Sequence, residues 1–310
     1  MAGEIREYKD RLFCFIFGSE AHKEWTLSLY NAVNGTTYTN PEDIVITTLT
    51  QVVYMGMHND VAFLIMDEVN MYEQQSTFNP NMPLRLMQYT GNVYEKLITL
   101  WQKNKYGKRL IHLPVPKLVV FYNGTTDEPD EMVLNLSDAF PEEKRDDSDI
   151  SVRVRMININ TGRSPTVVEA CKPLDEYTWL VSGIREREKH MELEAAVDAT
   201  LDEMPNDFWI KPYLEANRVE VKKMLLTEYN EARTMEMFKE EGRAEGRAEG
   251  RAEGRAEGRA EGRVEGRAEG ESRLSALMTR LRELGRIDDA FKAASDPAYR
   301  ERMYVEFSMA

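Results

Sequence analysis

The sequence predicts an α/β fold followed by a helical C-terminal extension, and three observations carry that reading. Short apolar runs of strand composition alternate with segments whose apolar residues recur at helical steps. From Arg185 onward helix formers take over, in IREREKHMELEAAVDATLDEM and EANRVEVKKMLLTEYNEARTMEMFKEE. Hydrophobic residues are 42% and aromatics 9% of the 310, which suffices for a packed core. The expected organisation is a sheet domain over residues 1–184, a helical segment over 185–240, a tetrapeptide-repeat tract over 241–270 and a helical tail over 271–310.

The elements follow in chain order. EAHKEWTLSLYNAVNG predicts a helix, with Trp25, Leu27, Leu29, Ala32 and Val33 near helical spacing and Gly35 as its stop. PEDIVITTLTQVVYM reads as a first strand and its connection. NDVAFLIMDEVNMYEQQST reads as a hairpin, its two apolar runs separated by the turn-like pair Asp67-Glu68. RLMQYTGNVYEKLITLWQ reads as a helix entered through Pro80 and Pro83. KLVVFYNG suits a strand buried on both faces, and the alternating SVRVRMINI suits an edge or half-exposed strand.

The hairpin concentrates the chemistry. Pairing its strands returns Glu73 to the neighbourhood of Asp60, and period-two alternation points Glu73 and Gln75 one way and Gln74 the other. Two carboxylates at one place repel unless a cation sits between them, and hard oxygen ligands suit Mg²⁺ or Mn²⁺ over zinc. Spacing alone leaves a second reading open, in which both acids are ordinary strand-end residues facing water.

An Asp at the start of one strand and Glu-x-Lys on the next resembles the signature of the PD-(D/E)XK nuclease superfamily. Within it, EQQSTFNPNMPLRLMQY is similar to the PD-(D/E)XK nuclease family transposases, or Rpn recombination-promoting nucleases. KDRLFCFIFG, VVFYNGTTDEPDE with LSDAF, MININTGRSP and the EGRA run resemble features of that family in the same order. The resemblance implies a restriction-endonuclease-like core, a mixed central sheet flanked by helices. It further implies a Mg²⁺- or Mn²⁺-dependent DNA endonuclease with Asp60, Glu73 and Gln75 as catalytic residues. Asp60, Glu73 and the backbone carbonyl of Gln74 would hold the metal, with Asp10 as a further acid. The chain departs from the pattern at Gln75, where the superfamily has Lys, and at Gln74, where this branch more often has His. A Gln can neither act as a general base nor carry charge, but it can orient a water or a phosphate oxygen.

The net charge of -14 weighs against a protein that coats DNA, because non-specific duplex binding rests on Lys and Arg at phosphates. A local exception is WQKNKYGKRL, where Lys103, Lys105, Lys108 and Arg109 cluster, with Arg85 upstream and Lys117 beyond; these are the candidate DNA contacts. The same residues also suit a solvated helix end and loop. No apolar run approaches the ~18 residues of a membrane span and no secretory h-region opens the chain, so a cytoplasmic protein with no membrane partner is expected. Cys14 and Cys171 are expected as free thiols.

In the tract over residues 241–270 EGRA or EGRV repeats seven times, ending at Ala268, and a partial unit, EGES, follows. A four-residue period stacks Glu on Glu and Arg on Arg at i,i+4, and each Gly costs about 1 kcal/mol against Ala. The tract is expected to be marginal as a lone helix and to act as a spacer or in homo-oligomers. A second functional class therefore stands beside the nuclease: an interaction protein with a weak or inactive nuclease core, acting through its helical tail and repeat tract.

Overall fold

The computed structural model describes residues 12–46 and 60–309, with Asp60 and part of the long C-terminal helix described through their backbone alone. Two compact units divide the chain, Met1–Thr234 and Met235–Ala310.

The first unit is built on a mixed sheet of β1 (Val45–Ile46), β2 (Asp60–Ile65), β3 (Glu68–Gln75), β4 (Val115–Tyr122), β5 (Glu131–Asn135) and β6 (Arg153–Asn158). The spatial order is β1-β2-β3-β4-β6-β5. β2 and β3 form the antiparallel hairpin, β3, β4 and β6 run parallel, and β5 returns antiparallel on β6. The parallel steps need crossovers, and α3 (Met82–Leu100) supplies the first. Its apolar positions Met82, Leu86, Tyr89, Val93 and Leu97 recur at helical spacing and bury against Val69, Met71, Val120 and Tyr122 on one face of the sheet. On the other face lie α1 (Leu12–Phe17), α2 (Lys23–Asn34) and α5 (Lys172–Glu188). There Phe13, Phe63, Tyr72, Phe121 and Tyr177 make a chain of tilted and edge-to-face rings. α2 ends at Gly35, whose φ of 64° lets its N–H reach the Asn31 carbonyl.

Several sequence-level details change. The hairpin turns at Met66-Asp67, with Met66 at φ 50°, one residue earlier than expected. Glu68 joins the strand because Tyr30 Oη donates to its carboxylate at 2.9 Å and Lys117 Nζ pairs with it at 3.2 Å. Pro83 lies in the first turn of α3, where a missing N–H costs nothing. SVRVRMINI holds β6, an interior strand between β4 and β5, and its Arg155 pairs with Glu131 of β5 at 2.9 Å. EMVLN itself is a short outer strand with too little alternation to stand out in the sequence.

The boundary expected at 184 falls inside α5. α6 (Leu193–Asp202), α7 (Lys211–Ala216) and the start of α8 (Arg218–Glu283) add Val197, Leu201, Ile210, Leu214, Val221 and Leu225 to the cluster containing Phe63 and Tyr72. Glu176 joins these layers by accepting the N–H groups of Trp209 and Ile210 at 2.8 and 2.9 Å, and burial raises its pKa above the carboxylate range. Cys14 and Cys171 form no disulfide, and burial pushes the Cys171 thiol up to about 11.

In the second unit Leu277 and Leu281 of α8 pack with Ala293 of α9 (Ile287–Ser295) and with Met303 and Tyr304 of α10 (Pro297–Glu306). The EGRA tract is helical, and a Cβ built on any glycine from Gly246 to Gly270 would meet open space. An i,i+4 ion pair forms where the repeat breaks, between Arg267 and Glu271 of the EGES unit, at 2.9 Å. Among the described residues no helix is long and apolar enough to cross a membrane.

Asn70, mid-strand in β3 opposite Phe63, is fully buried with neither amide atom hydrogen-bonded. An unmet buried amide costs roughly 1–3 kcal/mol, so Asn70→Leu, close to isosteric, is expected to stabilise the unit by about 1–2 kcal/mol. The check is a urea melt whose midpoint rises with an unchanged slope.

Candidate functional site

The hairpin register pairs Asp60 directly with Glu73. The Gln75 carbonyl accepts from the Asn123 N–H at 3.0 Å, so the peptide groups of positions 73 and 75 face β4. Glu73 and Asp60 therefore form a non-hydrogen-bonded pair, the kind whose Cα atoms approach to about 4.5 Å on one face of a sheet. By the same alternation the Gln74 carbonyl points to the β2 side. All three positions lie at the C-terminal end of β3, beside the matching ends of β4 and β6, where open α/β sheets bind ligands.

Glu73 is fully buried, and its two oxygens differ. Oε1 accepts from Gln75 Nε2 at 3.0 Å and from Arg85 Nη2 at 2.8 Å. Oε2 is buried without a partner. Arg85 is set there by α3, which begins just past the end of β3, so its second turn lies over the strand terminus. Tyr89, one turn further on, shares Arg85 Nη2 through its hydroxyl at 3.2 Å and faces the guanidinium with its ring at 5.9 Å. Gln75 Nε2 also lies 2.8 Å from Met82 Sδ, so its amide is held against Glu73 from the helix side.

Gln74 points to the opposite face. Its Nε2 donates to Asn123 Oδ1 at 2.7 Å, and Asn123 Nδ2 donates to Tyr177 Oη at 3.2 Å. This buried amide relay ties the ends of β3 and β4 to α5.

The structure thus brings Gln75 onto Glu73, sets Asp60 opposite Glu73 in the strand register, and adds Arg85, which the sequence reading grouped with the basic patch. Its signal was available: Arg85 and Tyr89 sit at i,i+4 on the apolar face of α3. Lys103, Lys105, Lys108 and Arg109 are not brought to this site. They lie in the loop from α3 to β4, and β4 starts opposite Glu68, at the other end of β3 from Glu73. From Arg85, which touches Glu73, to Leu100 at the end of α3 the helix advances about 22 Å at 1.5 Å per residue. Lys117, at the start of β4, is held by Glu68. Asp10 lies outside the described residues.

Among the described residues no three His, Cys, Asp or Glu side chains cluster. The oxygens at this end of the hairpin are hard: Glu73 Oε2 is buried and unpartnered, and the register sets an Asp opposite it. That chemistry fits Mg²⁺ or Mn²⁺ and not a soft metal. No family model, curated protein or solved structure matches the chain.

Proposed function

We propose that the chain is a Mg²⁺- or Mn²⁺-dependent DNA endonuclease with a PD-(D/E)XK-like core. The observation that carries this reading is the Asp60–Glu73 cross-strand pair, in which one Glu73 oxygen is saturated and the other is buried and bare. Asp60, Glu73 Oε2 and the Gln74 carbonyl would hold the cation, and the chemistry supplied there would be polarisation of the scissile phosphate and a lowered pKa of a water. Gln75 and Arg85 fix Glu73 through Oε1, which leaves Oε2 as the ligand atom. Arg85 supplies from α3 the positive charge that Lys would bring at position 75, so Gln75 positions and Arg85 neutralises. Two cysteines outside any disulfide suit a reducing, cytoplasmic setting. The test is metal-dependent cleavage of plasmid by purified protein, with Asp60→Asn and Glu73→Gln as controls; equal cleavage by both variants removes the proposal.

A second reading, self-association through the C-terminal helices, is favoured by one observation: Phe291 and Val305 are 75% and 80% exposed on the second unit. If the EGRA tract is a spacer or association element, deleting residues 245–264 leaves the cleavage rate unchanged and alters the solution mass. Loss of cleavage at unchanged mass in a folded protein overturns the spacer role.

A further inference from the structure

We propose that the loop from Trp101 to Pro114 is a docking surface for single-stranded DNA, separate from the Glu73 site. The choice of DNA rests on the endonuclease reading; the surface itself rests on the loop. From Lys96 through Thr126 the chain has no Asp or Glu, while it places Lys96, Lys103, Lys105, Lys108, Arg109 and Lys117 there, in a protein whose net charge is -14. Lys103, Lys108 and Arg109 are exposed and make no ion pair among the described residues. Such a concentration of cations in an acidic chain makes the loop its local attractor for a polyanion.

The loop also carries rings. Tyr106 is 87% exposed, Trp101 is 40% exposed, and Leu110 beside Arg109 is 83% exposed. Asn104 builds the turn that presents Tyr106: its side chain accepts the Tyr106 N–H at 3.0 Å and its carbonyl accepts the Gly107 N–H at 3.0 Å. Lys105, tethered to Glu95 at 2.6 Å, keeps its ammonium 5.6 Å from the Tyr106 ring. An exposed ring set among cations matches a strand with unstacked bases, because phosphates meet the cations while a base face meets the ring. Duplex DNA keeps its bases stacked inside and can use only the cations. Leu100 and Trp101 are exposed side by side at the start of the loop, but its most exposed ring, Tyr106, has cations on both sides, and vesicles are therefore one arm of the test. With the loop about 22 Å along α3 from Arg85, which touches Glu73, a strand bound here does not occupy the metal site.

The experiment is fluorescence anisotropy of the full chain with a labelled oligothymidine, its RNA counterpart, a mixed-sequence duplex and phosphatidylserine vesicles. It is run in EDTA from about 50 to 200 mM salt, so that cleavage plays no part. The single DNA strand is expected to bind more tightly than the duplex. Tyr106→Ala should weaken single-strand binding by about 5- to 100-fold while leaving duplex binding unchanged, and Tyr106→Phe should restore it. Replacing Lys103, Lys108 and Arg109 by Gln should lower the log–log salt slope by about 2, at about 0.7 per phosphate contact. An affinity indifferent to Tyr106→Ala, tighter binding to duplex, to RNA or to vesicles, or an unchanged salt slope each overturns the proposal. Oligonucleotide binding that persists in a protein without nuclease activity removes the endonuclease reading and leaves this surface; active cleavage with no effect of these variants does the reverse.

Discussion

Arg85→Ala is expected to lower the stability of the sheet-bearing unit by about 3 kcal/mol, because it leaves the fully buried Glu73 carboxylate with a single amide donor. Breaking a buried pair costs roughly 3–5 kcal/mol, and the lower end applies because Arg85 is 28% exposed and water can partly replace it. For a unit of this size the melting temperature should fall by about 6–12 °C. Adding Glu73→Gln to Arg85→Ala should recover more than half of the loss, since an amide needs no counter-ion. A double-mutant cycle with a coupling below about 0.5 kcal/mol would show that the 2.8 Å contact contributes little and that Glu73 is neutralised in some other way.

Glu73→Gln alone should abolish metal-dependent cleavage, by about 100-fold or more, while the fold survives. The amide oxygen still accepts from Gln75 and Arg85, so the packing at Oε1 persists. The amide nitrogen that replaces Oε2 cannot ligate a hard cation, and a lost ligand removes several kcal/mol of transition-state stabilisation. Asp60→Asn should act the same way on activity. Isothermal titration of Mn²⁺ into each variant separates lost metal binding from lost chemistry. Wild-type Mn²⁺ affinity and cleavage in Glu73→Gln would defeat the assignment of Oε2. Gln75→Lys tests the relocated charge: a lysine there would compete with Arg85 for Glu73 Oε1, so cleavage should be retained or raised, and should depend less on Arg85. Unchanged dependence on Arg85 would mean that the arginine does not stand in for a lysine at 75.

The local physics of the chain was enough to determine much of the fold. The hairpin, its Asp60–Glu73 register, the helix ending at Gly35 and the buried β4 all follow from period-two or helical spacing and from where glycine and turn residues fall. Those signals act between neighbours in sequence, so one chain displays them in full. The opposed faces of Gln74 and Gln75 belong to the same class, because alternation along a strand needs no partner. What only the tertiary structure decided were the relations between distant segments. Arg85 and Lys103 read alike as cations, yet a 19-residue helix carries one to Glu73 and the other to the far end of the sheet. β6 alternates like an edge strand but lies inside the sheet, because the distant segments β4 and β5 pair with both of its edges. Residues 185–234 have the composition of a separate helical segment, yet their apolar face is buried in the core shared with β2 and β3. Composition records only that an apolar face exists; which surface covers it depends on the folded chain, because burial is non-directional and any apolar surface of fitting shape can supply it.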